Sequence, residues 1–142
     1  MPGPFLNMRF RVEIEGLRET GVVEVAFPHA RIERARQRVR ASYGNLILRR
    51  GLGDLQDWHA WWDEARRTPR APARTITVTL LNESGENARR WTFDRATPMA
   101  YSVSSLNALG NEVVIETLEL TVEGFAASSG PAPSKRRRSR TS

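Results

Sequence analysis

Much of this chain alternates apolar and polar residues with the two-residue period of a strand that buries one face. In "RFRVEIEGL", Phe10, Val12 and Ile14 fall on one side and Arg9, Arg11, Glu13 and Glu15 on the other. Gly16 and Gly21 bracket a short turn, after which "VVEVAF" gathers Val23, Val25 and Phe27 on one face until Pro28 interrupts it. "YGNLILRRGL" turns at Tyr43-Gly44-Asn45 and enters an apolar strand, Leu46 to Leu48, that ends in Arg49-Arg50-Gly51. "RTITVTLLNESGENARRWTFD" reads as a hairpin, with Ile76, Val78 and Leu80 inward, a turn at Asn82 to Gly85, and Trp91 and Phe93 inward again. "NEVVIETLELTVEGF" predicts the longest strand. Its apolar face holds Leu118, Leu120 and Val122, and its polar face Thr117, Glu119, Thr121 and Glu123.

One segment changes period. In "DLQDWHAWWDEARR", Leu55, Trp58, Trp62 and Ala65 recur at helical spacing, which predicts one helix over about 54–67. Asp54 suits the N-cap, Asp57 the first turn, and Arg66 and Arg67 the last turn, where each charge favours the helix dipole. Pro69 stops continuation, and Gly51 and Gly53 make the corner between strand and helix. Three tryptophans glue such a helix to a sheet; Trp61, beside the stripe, is also a candidate for a subunit interface, where large aromatics concentrate.

"RIERARQRVR" breaks the ordinary pattern. Read as one extended strand, it sets Arg34, Arg36, Arg38 and Arg40 on a single face. Such a row needs water or acidic partners opposite it. It is either a solvated, charge-protected edge, a surface that meets another subunit's acids, or a contact for anionic cargo.

Composition limits the rest. The 142 residues suit one domain, and no run of eighteen apolar residues predicts a membrane span. The start "MPGPFLNM" does not read as a signal peptide, so cytoplasmic synthesis is the expectation. There is no cysteine, which excludes disulfides and thiolate metal sites. The net charge of +6 belongs to the end of the chain: without the five basic residues of "SKRRRSRTS", 17 basic residues face 16 acidic ones. Residues 128–142 read as a disordered basic tail following a domain of residues 1–127, either dispensable or an arm for nucleic acid. Neither His29, in a loop, nor His59, four residues before Asp63, has the company of a metal site. Ser84 has no base, and no phosphate-cradling glycine motif is present. The residues predict no enzyme and no cofactor.

"YGNLILRRGL", the tryptophan-bearing "LQDWHAWWDEARR", "RTITVTLLNESGE", "ARRWTFDRATP" and the closing "SLNALGNEVVIETLELTVEGF" occur in an order that resembles the tail tube protein family of contractile phages and phage-tail-like injection systems. The resemblance spans Met8 to Phe125. It implies a mainly β fold, a barrel or sandwich with one flanking helix. It further implies six-membered rings that stack into a hollow tube within a contractile sheath, in company with baseplate and spike proteins and with protein or DNA in the lumen. On that analogy Arg9, Arg11, Glu13, Thr117, Glu119, Thr121 and Glu123 are lumen or interface candidates. Arg49 and Arg50, ending a strand at a subunit edge, would pair with a neighbour's Glu116 or Glu119. The family usually carries a longer Gly- and Lys-rich excursion where this chain has "AFPHARIERARQRVRAS", which leaves open a tube-initiating ring at the baseplate instead of the repeating subunit. The rival reading is a small nucleic-acid-binding module that uses the arginine stretch, the tail and Trp61.

Overall fold

The structure of the chain, a computed structural model, describes residues 9–18, 21–70 and 72–129. Its elements are β1 (Phe10–Ile14), β2 (Val22–Ala26), β3 (Ala30–Ala35), β4 (Arg38–Tyr43), β5 (Leu46–Gly51), α1 (Asp57–Arg67), β6 (Arg74–Leu81), β7 (Asn87–Val103), β8 (Ile115–Thr121) and β9 (Gly124–Ser129). The fold is mainly β with one helix, as the periodicity predicts.

Seven strands form one antiparallel sheet folded about β7 into two halves. The first half runs β1-β6-β7-β9 and the second β7-β8-β5-β2; β3 and β4 make a separate two-stranded hairpin. The sheet is not closed. The 17-residue β7 belongs to both halves: Asn87 to Ala96 pair with β6, and Thr97 to Val103 pair with β8. The switch falls at Arg95, the one non-glycine residue with positive φ (53°) among those described. Such a local distortion lets a strand leave one sheet and enter another.

The core lies between the halves and under the helix. Val12, Ile14, Leu46, Leu48, Ile76, Val78, Phe93, Leu118 and Leu120 meet there, all 7% exposed or less. Trp58 and Trp61 descend into it from α1. An aromatic cluster extends it: Phe27 lies edge-on to Trp91 with centroids 4.9 Å apart, and Phe93 stacks on Phe125 at 4.9 Å.

Three local readings need correction. A register shift between Val22 and Glu24 reverses the start of the second strand, so Val23 is 60% exposed and Val22 packs on the core instead, while Val25 packs there as expected. The helix begins at Asp57 behind Gln56, and Asp54 does not cap it. The longest strand is β7, because Val122 and Glu123 break the last segment into β8 and β9. The expected tail beyond Ser129 lies outside the described residues; Ser128 and Ser129 belong to β9.

Candidate functional site

Arg50 is the most enclosed charge on β5. Its Nε donates to Glu116 Oε1 on β8, and its Nη2 donates to Asp57 Oδ1 at 2.6 Å at the start of α1. The guanidinium carbon sits 4.0 Å from the centroid of the Trp58 ring. Tyr101, on β7, donates its hydroxyl to the other Glu116 oxygen at 2.6 Å. Arg50 is 3% exposed and Glu116 1%. Burial and the hydrogen bond to the Glu116 carboxylate push the Tyr101 phenol up to about 12, since ionising it would add an anion beside an anion. One buried cation thus ties β5, β8 and the helix together, with the phenol of β7 bound to the same carboxylate. This corrects the expectation that Arg50 stands at a subunit edge waiting for a neighbour's glutamates. Arg50 pairs with Glu116 of its own chain, and Arg49 pairs with Glu24 of β2 at 2.8 Å. Glu119 accepts from Asn45 at 2.6 Å.

Trp61 is likewise internal. It is 2% exposed, donates Nε1–H to the Pro72 carbonyl at 3.0 Å, and carries the Arg74 guanidinium over its ring. It anchors the helix and is not presented to a second subunit.

The arginine stretch is two strands. β3 and β4 pair with Ala35 opposite Arg38, so Arg36 and Gln37 form the turn. Folding the segment back on itself splits the four arginines. Arg34 shares a face with Ile32, Val39 and Ala41; Arg38 and Arg40 lie on the other face with Arg31 and Glu33; Arg36 sits at the tip. All six residues of β3 and the first four of β4 are exposed, with Ile32 and Val39 61% and 64% open to solvent. An amphipathic hairpin with neither face covered is a projecting arm. A second exposed apolar feature sits at the other end of β5: Leu106, Leu109 and Val113, 77%, 94% and 70% exposed, lie in the loop between β7 and β8. Helical and strand periods say nothing about loop leucines, so the sequence alone did not signal it.

The non-core face of the β1-β6-β7-β9 half carries two cross-strand rows. One reads Arg11, Thr79, Arg90 and Ser128; the next reads Glu13, Thr77, Thr92 and Ala126. Thr117 and Glu119 lie on the non-core face of the other half, beside Arg49 and Ile47. The two polar faces expected as lumen or interface candidates belong to different halves of the sheet. Thr121 is exposed at the end of β8; the exposed Glu123 pairs with Arg95 at 3.2 Å; Arg9 is exposed just before β1.

The strand edges differ too. β1 and β9 end the first half with neither proline nor register shift, and β9 is "GFAASS", with its last four residues exposed. The edges of the second half are irregular: β2 has its shift at Val22/Glu24, and β7 has Pro98 and a shift between Pro98 and Ala100. Natural edge strands are normally blunted by charge, bulge or proline. The small, uncharged β9 has none of these. A surface hollow of about 310 Å³ beside β1, lined by Glu13, Ile14, Glu15, Leu17, Thr75 and Thr77, brings no histidine or cysteine to its carboxylates.

Among the described residues, two strand edges and the β3–β4 hairpin are exposed, while Arg49, Arg50 and Glu116 pair within the chain. The sequence profile of the T4-like virus tail tube protein gp19 matches residues 6–126, and the chain belongs to that family. It is a tail tube protein, a structural subunit of the T4-like kind. No curated protein matches the chain. Among solved structures it is similar to a chain of the anti-feeding prophage baseplate (20% identity, TM-score 0.68, covering 91% of this chain and 98% of that one). It is similar to one of the sheath–tube complex of the PVC extracellular contractile injection system (19%, 0.67, 89% and 92%). Hcp1 from Flavobacterium johnsoniae shares the fold at 12% identity (0.63, 88% and 98%).

Proposed function

We propose that six copies of this chain close into a ring, and that rings stack into a hollow tube within a contractile sheath. The reading rests on one observation: the β1-β6-β7-β9 half has an even number of antiparallel strands, and among the described residues neither of its end strands has a proline or a register shift. Its end strands run in opposite directions. The β9 edge of one copy can therefore receive the β1 edge of the next with the antiparallel alternation unbroken, copy after copy, until the ring closes. The non-core face of this half then becomes the wall of the bore. Six is supported by the six-fold symmetrised baseplate of the anti-feeding prophage relative.

The hairpin and the β7–β8 loop leave β5 at opposite ends, which suits a heterologous contact that stacks one ring on another. Interfaces of this obligate kind commonly bury on the order of 2,000 Å² or more. Partnership with sheath and baseplate proteins is carried over from the assemblies in which the relatives were solved. Contraction of the sheath would drive the tube and its protein or DNA cargo through a target envelope.

Electron microscopy of the purified protein, with prolines placed singly at Ala126 and Ala127, tests the reading. Successive residues of a strand direct their N–H groups to opposite edges. One of the two variants removes an outward N–H and leaves the ladder to β7 intact. Rings or tubes are expected from the native chain, and a folded variant that makes none is expected from that one substitution. A native chain that stays monomeric at every concentration, or two proline variants that assemble normally, would overturn the proposal.

A further inference from the structure

We infer that the bore wall carries an anion-binding belt made by Arg11 and Arg90, and that the belt receives an acidic polypeptide. The inference rests on the reading above that the β1-β6-β7-β9 half lines the bore.

The two arginines lie in one row across the strands, separated by Thr79. Two strand spacings, about 9–10 Å, set them little more than the ~8 Å Debye length of physiological salt apart, so their fields add in part. Both are half-buried, and Thr79 between them is only 2% exposed although it faces away from the core. That closure fits arginine stems lying flat along the sheet. Neither arginine is in an ion pair among the described residues, whereas Arg49, Arg50, Arg66, Arg67 and Arg95 all are. Arg11 donates from Nη2 to the Asn87 side-chain oxygen at 3.5 Å. Ring closure from β9 to β1 sets the row of each copy beside that of the next, and the pairs of arginines become a belt around the bore.

The neighbouring row decides which anion fits. Glu13 lies two residues along β1, about 7 Å away, and ring closure repeats it as an acidic belt. A nucleic acid running along the bore presents phosphates at every step, so what it gains at the arginines it loses at the glutamates. Single strands also gain from aromatic platforms. The aromatics of this half (Phe10, Trp91, Phe93 and Phe125) lie in or against the core. A polypeptide can place a carboxylate where the belt is basic and a neutral or basic side chain where it is acidic. The arginine fork then takes the carboxylate through two parallel hydrogen bonds.

The test uses assembled tubes and two labelled probes of equal charge, poly-L-glutamate and oligo-dT. Native tubes should bind poly-L-glutamate more tightly than oligo-dT, with an affinity that falls as salt rises. Arg11→Gln with Arg90→Gln should weaken poly-L-glutamate at least tenfold while tubes still form. Glu13→Gln should strengthen both probes and narrow the gap between them, and it reads the same belt should the double variant fail to assemble. Double-variant tubes that bind poly-L-glutamate as well as native ones, Glu13→Gln tubes with unchanged binding, or native tubes that prefer oligo-dT would each overturn the inference. Failure of the native chain to form rings would instead overturn the ring proposal, and microscopy tells the two apart.

Discussion

At Arg50 the balance between desolvation and pairing decides the outcome of substitution. The guanidinium has left water for two carboxylates and the Trp58 face. Removing one partner of such a buried pair typically costs about 3–5 kcal/mol, because the remaining charge is stranded. Arg50→Ala and Glu116→Ala should each lower the chain's resistance to urea by that order. Arg50→Met combined with Glu116→Leu should cost much less than the two single losses together. A single substitution that leaves the urea midpoint unmoved would show that the tie carries no weight. Sequence could not locate this network. Alternation put Arg50 and Glu116 on the same faces as Leu48 and Leu118, but periodicity does not say that two buried charges will meet. At the helix surface the same chemistry is slight. Asp63 accepts from Arg66, which holds its carboxyl below the ordinary value, yet both side chains are solvated and such pairs contribute little.

Among the elements, those with one apolar face were legible and those defined by tertiary company were not. β1 and β8 follow their alternation, because one face of each meets the core, and β6 does so up to Val78, beyond which Thr79 is buried as well. The helix was legible from its tryptophans, though the order of burial was not: Trp58 and Trp61 are fully buried and Trp62 only partly. The second half of β7 escaped notice because Pro98 and Met99 interrupt its pattern at the shift. The β3–β4 hairpin was read as one strand because its turn, Arg36-Gln37, contains neither glycine, asparagine nor proline. With both faces exposed, the hairpin can be changed with little effect on the isolated chain. Ile32→Ser with Val39→Ser should move monomer stability by no more than about 0.5 kcal/mol while rings cease to stack. Sedimentation and microscopy would read this as single rings in place of tubes. Full-length tubes from this variant would remove the hairpin from the stacking contact.

On the scale of the whole molecule, family and fold were readable from ordered motifs, while the proposed bore wall rests on strand pairing. The polar faces of the first and penultimate strands look alike in sequence. Only the register puts one in the half with clean edges and the other in the half with a bulge and a proline. The same register has a consequence at the ends of the described chain. Phe10, Leu80, Arg89 and Ser129 form one row, so β1 begins and β9 finishes at the same level of the sheet on opposite edges. Should β9 of one copy lie against β1 of the next with that level kept, Ser129 would come beside the neighbour's Phe10, about 5 Å away. The subunits could therefore be strung on a single polypeptide. Two copies fused head to tail, with the segments outside residues 10–129 replaced by a short Gly-Ser link, should form the same six-lobed ring from three molecules. Mass measurement of the particles would count them, and concatemers that only aggregate would argue that the edges meet in some other order.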